Sequence, residues 1–324
     1  MYYQPETMLE QYDIEIKQVT KGRGVFVCDT DRGKKILAPF RGSKERAEFV
    51  KEMLRNMKDA GFFAEQIIPT REGECVVVDE TGIRFWLKDF VEGNECQATR
   101  EWDVLAGAGV LATFHQCAAS CAKEIPAFMK NAKNEPEVLY ARHYRELVFV
   151  KNFVKTRKTK NAFERGFWAQ YPYFIAQAKA AVLLLKEQEK TDITYSLCHG
   201  DCNQHNVLRT ADGIRLVNYE TMCYGGQVVD LANYMRKILE KNSWNLCMGK
   251  RILEAYEKNR TLTKQEKHLL YELLLFPEKF WKISNHYSNS HKAWVSERDI
   301  EKLNRLVAEE PAREQFLENL FSFL

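Results

Sequence analysis

At about residue 93 the pattern of apolar residues in this 324-residue chain changes from a period of two to a period of 3.6, and the second period persists almost to the C terminus. Before the break, residues 12–19, 24–28 and 34–40 read as short strands, with the turn Asp29-Thr30-Asp31-Arg32-Gly33 joining the last two. One amphipathic helix follows from Ser43. Ala47, Val50, Met53, Leu54 and Met57 share its apolar face, Ser43 is a good N-cap, and Gly61 stops it. Residues 74–79 and 83–90, joined by Glu80-Thr81-Gly82, add two strands and bring the expected sheet to about five. Beyond Glu92-Gly93-Asn94, helices are expected near 102–122, 135–156, 162–189, 229–240, 245–257, 264–275 and 297–324. The pattern predicts an α+β chain of two lobes, a small β-rich one over 1–92 and a large helical one over 93–324. With 45% hydrophobic residues, a chain of this length buries a sizeable core.

The helical lobe is interrupted at 195–224, where two short apolar runs, 195–198 and 214–219, flank a Gly- and Asn-bearing loop. The loop reads His199-Gly200-Asp201-Cys202-Asn203-Gln204-His205-Asn206, with an aspartate five positions before an asparagine; twelve residues further on comes Val217-Asn218-Tyr219-Glu220. Phosphoryl transfer needs this order. A carboxylate accepts the hydrogen bond of the acceptor hydroxyl, and oxygen ligands hold magnesium against the nucleotide phosphates. Asp201 is the candidate base and Asn206 the candidate metal ligand, with a further metal ligand expected on the following loop, at Asn218 or Glu220. An Asp or Asn alone in a turn more often bonds its own backbone. Here the spacing and the lobe order agree, which favours a kinase-like reading and leaves a nuclease or hydrolase as the alternative.

The loop resembles the histidine-glycine-aspartate motif of the aminoglycoside phosphotransferase and choline kinase superfamily, whose fold is the two-lobed protein-kinase-like one. The wider chain resembles that superfamily's spore coat branch, the CotS-type proteins of spore-forming Firmicutes. The residues that carry this closer match are Val19-Thr20-Lys21-Gly22-Arg23-Gly24, Phe40-Arg41-Gly42-Ser43-Lys44-Glu45-Arg46-Ala47-Glu48-Phe49, residues 197–206, Asp230-Leu231 and Met235-Arg236-Lys237. The resemblance implies an adenine-nucleotide cleft with its hinge near Lys88–Glu92, so Gly22, Gly24, Lys35, Lys88 and Val91 are the candidate nucleotide contacts. It implies ATP and Mg2+ as cofactors of an active site. It also implies a bracing role for Asp230 and an acceptor pocket in the helical lobe near Phe280, Trp281, His286, Tyr287 and Trp294. For those aromatics, and for His115, ordinary packing is the plainer account.

Two departures stand out against the resemblance. Active relatives carry a phosphate-gripping lysine on the third strand, paired with a helix glutamate. Here Ile36-Leu37-Ala38-Pro39 places Ala38 at that point, with Lys35 on the opposite face of a regular strand and Glu48 or Glu52 as the helix partner. The superfamily's magnesium-binding aspartate is Asn218, which keeps an oxygen but loses the charge. Both losses fall on the same developing phosphate charge. The expectation is a degenerate kinase-like protein of the spore coat acting in coat assembly. Two alternatives stay open: an active ATP-dependent phosphotransferase on a small-molecule or cell-wall hydroxyl acceptor, and a module binding a ligand other than a nucleotide.

The formal net charge is +3, which gives no general pull towards nucleic acid or membrane, and neither is an expected partner. The basic run 151–160 reads as a solvated helix end, with an anionic contact surface as the alternative. Other coat proteins are the expected partners, with a small-molecule acceptor if the protein is active. Glu6, Glu10 and Asp13 break any apolar leader, so synthesis in the cytoplasm is expected; assembly onto the spore coat is what the resemblance implies. Nine scattered cysteines read as reduced thiols, although the spacings Cys117/Cys121 and Cys198/Cys202 raise a zinc site as an alternative.

Overall fold

The computed structural model describes residues 5–130, 135–189, 191–290 and 297–323. The chain forms two compact units. The first combines the N-terminal residues up to Lys130 with Ser196–Tyr224 and Lys258–Arg260; the second holds Asn131–Tyr195, Gly225–Glu257 and Thr261–Leu324. This grouping follows contacts, and it places the loop at 196–224 with the sheet.

The first unit opens with a short helix α1 (Pro5–Leu9) and an antiparallel sheet of β1 (Ile16–Lys21), β2 (Phe26–Thr30), β3 (Lys35–Pro39), β4 (Ile67–Ile68), β5 (Val77–Val78) and β6 (Arg84–Asp89). The strand order is β1-β2-β3-β6-β4, with β5 also on β6. Three of the expected strands form the β1–β3 meander, but the first starts later than its apolar pattern implies. Tyr12 instead closes the turn after α1, its N–H donating to the Leu9 carbonyl at 3.1 Å. The two-residue β4 is too short to show a period. On one face of the sheet Leu37, Phe85 and Leu87 join Met8, Tyr12, Cys28 and Val77 in a buried cluster. The ladder between β3 and β6 pairs Ile36 with Lys88 and Ala38 with Trp86, so these four side chains share the other face.

Helix α2 (Lys44–Asp59) begins where Ser43 accepts the Arg46 N–H, as its cap predicts. After β7 (Asn94–Glu95), helix α3 (Glu101–Cys121) is long and apolar enough by length and composition to span a membrane. Its buried Val104, Ala108, Leu111, Phe114 and His115 place one face in the core of this unit, where it packs against α2. The 195–224 interruption supplies β8 (Tyr195–Cys198), β9 (Val207–Thr210), β10 (Gly213–Leu216) and β11 (Cys223–Gly226), and β9 is flanked by β10 and β7.

The second unit is helical: α4 (Pro136–Thr156), α5 (Ala162–Glu187), α6 (Gln227–Leu239), α7 (Leu246–Glu257), α8 (Lys264–Leu275), α9 (Glu278–Asn289) and α10 (Glu297–Phe323). Capping boxes Asn161/Glu164 and Thr263/Glu266 fix the starts of α5 and α8. Helix α9 was not expected. Pro277 ends the α8 pattern and caps the next helix, on which Phe280 is buried and Trp281 and Tyr287 are half-buried. Phe280 stacks on Phe174 at 4.3 Å, Tyr287 on Phe163 at 4.2 Å, and Trp281 on His143 at 3.4 Å. These rings serve packing. Trp294 lies outside the described residues.

Glu272 on α8 is buried, with an unpartnered Oε2, and burial raises its pKa to about 7. A carboxyl whose folded pKa lies above its unfolded value stabilises fully below the unfolded value and loses that contribution as pH rises through the folded one. Glu272→Gln is therefore expected to be more stable than the wild type at pH 8, by about 1 kcal/mol after solvent screening, and to show no gain near pH 5. Thermal unfolding at the two pH values measures this.

Candidate active site

Every sequence-derived metal and base candidate lies in the first unit. Gly200, at φ 82°, makes the turn after β8 and brings the backbone tight against Thr221. His199 is fully buried; its Nε2 bonds the Val217 carbonyl at 2.9 Å, and its Nδ1 accepts the Asp201 N–H at 3.3 Å. These partners assign the Nε2-protonated tautomer and tie the turn to the strand that leads to Asn218. Phe114 and Tyr219 pack around the ring at 6.2 and 5.0 Å.

The Asp201 carbonyl accepts from Asn203 Nδ2 at 3.0 Å and Asn206 Nδ2 at 2.8 Å; Asn206 also reaches the carboxylate, at 3.4 Å. Asn206 thus directs its amide nitrogen to Asp201 and its oxygen outward. That oxygen accepts from Asn218 Nδ2 at 2.8 Å. Asn218 is left-handed, φ 70° and ψ 64°, which an asparagine tolerates better than most residues.

Lys88 completes the site, and its position separates it from the other nucleotide candidates. Its ammonium is 1% exposed, and it donates to Glu65 Oε1 at 3.1 Å, Asn218 Oδ1 at 2.7 Å and Glu220 Oε1 at 2.6 Å. Glu65 Oε1 also accepts the Asn218 N–H at 2.8 Å. One cation therefore serves two carboxylates. Burial raises the pKa of Glu65, the more enclosed of the two, against the pull of Lys88. Burial opposes the Lys88 charge, but Glu65 and then Glu220 outweigh it, and the Lys88 pKa rises.

Ala38 offers only a methyl group to this face. Lys88 supplies an ammonium from the next strand, two residues along the ladder from the Ala38 pair. Its carboxylate partner is Glu65, in the segment between α2 and β4, and not a residue of α2. Glu48 bonds Lys51 at 2.7 Å and Glu52 is exposed. Lys88 is a candidate through the hinge that the resemblance implies; a residue-level signal for its pairing is its place directly after the apolar run Phe85-Trp86-Leu87, where a cation is costly unless paired. No comparable signal marked Glu65.

The other candidates lie apart from this cluster. Lys35 is on the opposite face of the sheet and pairs with Asp89 at 3.0 Å. Val91 and Lys35 both line an open hollow with Arg209 and Asp212. Gly22 and Gly24 form the β1–β2 turn, where the Gly22 N–H donates to the Val25 carbonyl at 2.8 Å and Gly24 takes φ 77°. Arg46 on α2 donates to the Met222 carbonyl, just past Glu220. Asp230 is a buried residue in the first turn of α6, in the second unit. A cavity of about 230 Å3 in the second unit is lined by Phe174, Arg236, Glu240, Trp244, Phe276 and Arg313, among others, and not by Phe280, Trp281, His286 or Tyr287.

A divalent ion does not fit the metal candidates as they are arranged. Asn206 Oδ1, Asn218 Oδ1 and Glu220 Oε1 each accept from a donor of this chain, and a like charge already stands between the last two. Cys117 and Cys121 lie 3.9 Å apart on α3. Among the described residues no group of three or more His, Cys, Asp or Glu is placed to hold a metal.

A family model described as the spore coat putative kinase YutH matches residues 5–320. Spore coat protein S of Bacillus subtilis is 24% identical over 319 residues, covering 95% of this chain and 89% of its own. Among solved structures, an aminoglycoside phosphotransferase from Alicyclobacillus acidocaldarius superposes with a TM-score of 0.84 at 18% identity, covering 99% of this chain and 96% of that one. Spectinomycin phosphotransferase in complex with ADP and spectinomycin superposes at 0.68 with 15% identity, covering 97% and 99%. Choline kinase from Cryptosporidium parvum gives 0.59 at 13% identity, covering 97% and 95%. The fold is the kinase-like one of the aminoglycoside phosphotransferases and choline kinases.

Proposed function

The chain belongs to the spore coat putative kinase YutH family, and from that premise we propose that it is a coat-associated protein that has kept the kinase fold for binding and assembly while its phosphoryl-transfer site is neutralised from within. The observation that carries this reading is the Lys88 ammonium held among Glu65, Asn218 and Glu220. It supplies, covalently tethered, the positive charge that a kinase of this fold takes from magnesium. A nucleotide that arrived with its metal would meet a cation already in place, and Lys88 is too enclosed to reach a phosphate without leaving two carboxylates. The protein is made in the cytoplasm, assembles onto the spore coat and works there through contacts with other coat proteins.

A second reading rests on the shared face of Ala38 and Lys88. In it Glu220 and Asn206 would hold magnesium only after Lys88 had left Glu220, the metal would supply charge stabilisation at the phosphates, and Asp201 would act as base towards a small-molecule or cell-wall hydroxyl. Calorimetric titration with ATP, with and without millimolar Mg2+, separates the two. The first reading expects no magnesium-dependent ATP binding and no shift in Tm with Mg2+. It also expects Asn218→Asp, which restores the family's carboxylate, to stay unresponsive because the ammonium remains. Magnesium-dependent ATP binding by the wild type, which should stabilise the fold by about 2.7 kcal/mol at ~100 times Kd, supports the second reading and overturns the first. A response gained by Asn218→Asp alone assigns the lost metal site to Asn218 and not to Lys88.

A further inference from the structure

Phe149 and Phe153 are one turn apart on the outer face of α4, and Trp168 stands in the second turn of α5; their exposures are 65%, 37% and 40%. The two helices pack against each other and are joined by the 157–161 turn. Arg157 lies over the Phe153 ring at 5.7 Å and Lys160 over the Trp168 ring at 5.5 Å, so the exposed aromatics alternate with cations across the turn. From Phe149 to Trp168 the cations are Lys151, Lys155, Arg157, Lys158, Lys160 and Arg165, and the one acid is Glu164. Glu164 is fully buried, caps α5, accepts from the Tyr287 hydroxyl and pairs with Arg157 Nε at 3.3 Å, so its charge is met within the chain. Exposed Arg142 and Arg145 extend the stripe along the α4 face that carries Phe149. This segment has a net charge of +5 in a chain of +3, so the rest of the chain is net negative.

We propose that this helical hairpin is a docking surface for an anionic lipid bilayer, with Phe149, Phe153 and Trp168 entering the headgroup boundary and the lysines and arginines meeting lipid phosphates. Large exposed aromatics interleaved with long basic side chains match the interfacial zone, where ring and charge sit at neighbouring depths. Four of the six cations are lysines, which protein–protein interfaces disfavour. A second copy docked on the same face would oppose like charges. The near-balanced charge of the whole chain argued against membranes, but that balance is an average, and the charge here is local. This inference is independent of whether the kinase-like site binds ATP.

Co-sedimentation with phosphatidylcholine vesicles, with and without phosphatidylglycerol, tests it on the full chain. Binding is expected only to the anionic vesicles and is expected to weaken with salt. Lys155→Gln/Lys158→Gln/Lys160→Gln should lower the affinity about 100-fold, at roughly fivefold per charge. Phe149→Ser/Phe153→Ser/Trp168→Ser should lower it about tenfold or more, with Tm unchanged in both variants. The proposal fails if the wild type ignores anionic vesicles or binds neutral ones equally. It also fails if the aromatic variant binds as well as the wild type, since the surface would then read charge alone, as an acidic protein contact does. Self-association that the aromatic substitutions abolish, without vesicle binding, would assign the face to a second copy and likewise overturn the proposal.

Discussion

Replacing Lys88 with methionine is expected to destabilise the fold by about 3–5 kcal/mol, the cost of leaving a buried carboxylate without its counter-ion. Lys88 and Glu65 have side chains 1% and 2% exposed, so the carboxylate left behind is a buried one. The loss is measured as a drop in the urea midpoint at constant m. Its pH dependence identifies the cause. Removing the ammonium lifts the Glu65 pKa above the raised position that burial already gives it. A folded pKa above the unfolded value of ~4.3 means that stability is retained below that value and lost as pH rises. The Lys88→Met penalty should therefore shrink towards pH 4.5 and be full at pH 7.5. Adding Glu65→Met should recover much of the loss, because an apolar pair of similar volume replaces a buried ion pair at little net cost. A Lys88→Met variant as stable as the wild type at pH 7.5 would show that Glu65 is neutral or hydrated in the native protein.

The second large effect is expected at Gly200. A Cβ built there lies 2.3 Å from the Thr221 carbonyl oxygen and 3.0 Å from its carbon, and the backbone is left-handed at φ 82°. Gly200→Ala meets both penalties: about 1–2 kcal/mol for an L residue in that region, and about 1–3 kcal/mol for forcing backbone apart in a packed site. A loss of about 2–5 kcal/mol in chemical denaturation, or failure to accumulate folded protein, is the expected result. Gly24→Ala serves as the control. It bears the positive φ but has no atom within 4 Å of its Cβ, so only the smaller, conformational part should appear. If the two variants lose the same amount, the close approach to Thr221 is not what requires glycine at position 200.

Much of this fold was legible because its signals are local. The strand alternation before residue 93, the Ser43 cap and the heptad-like faces of the long helices each lie within one window of sequence, and the corresponding elements are present. The loop from His199 to Asn206 was legible for the same reason, since its spacing is fixed by backbone turns. Helix α9 was hidden by Pro277, which reads as a breaker from the α8 side and as a cap from its own. The assembly around Lys88 was hidden because it depends on ladder register. Glu65, Lys88, Asn218 and Glu220 come from three separate segments, and only the pairing of Ile36 with Lys88 shows that this lysine shares a face with Ala38. The periodicity of β6 gave the strand but not the partner of its one buried charge.

The Lys88 assembly also bears on reversibility over evolutionary time. On the proposed reading, a magnesium site would require this arrangement both to vacate the ammonium and to place a carboxylate at position 218. Taken first, the loss of Lys88 strands Glu65 in the interior. Taken first, a carboxylate at 218 adds a third acid around one cation. Each single step, on the proposed reading, lowers stability before any catalysis could reward it, so a chain carrying this assembly moves more easily away from phosphoryl transfer than towards it.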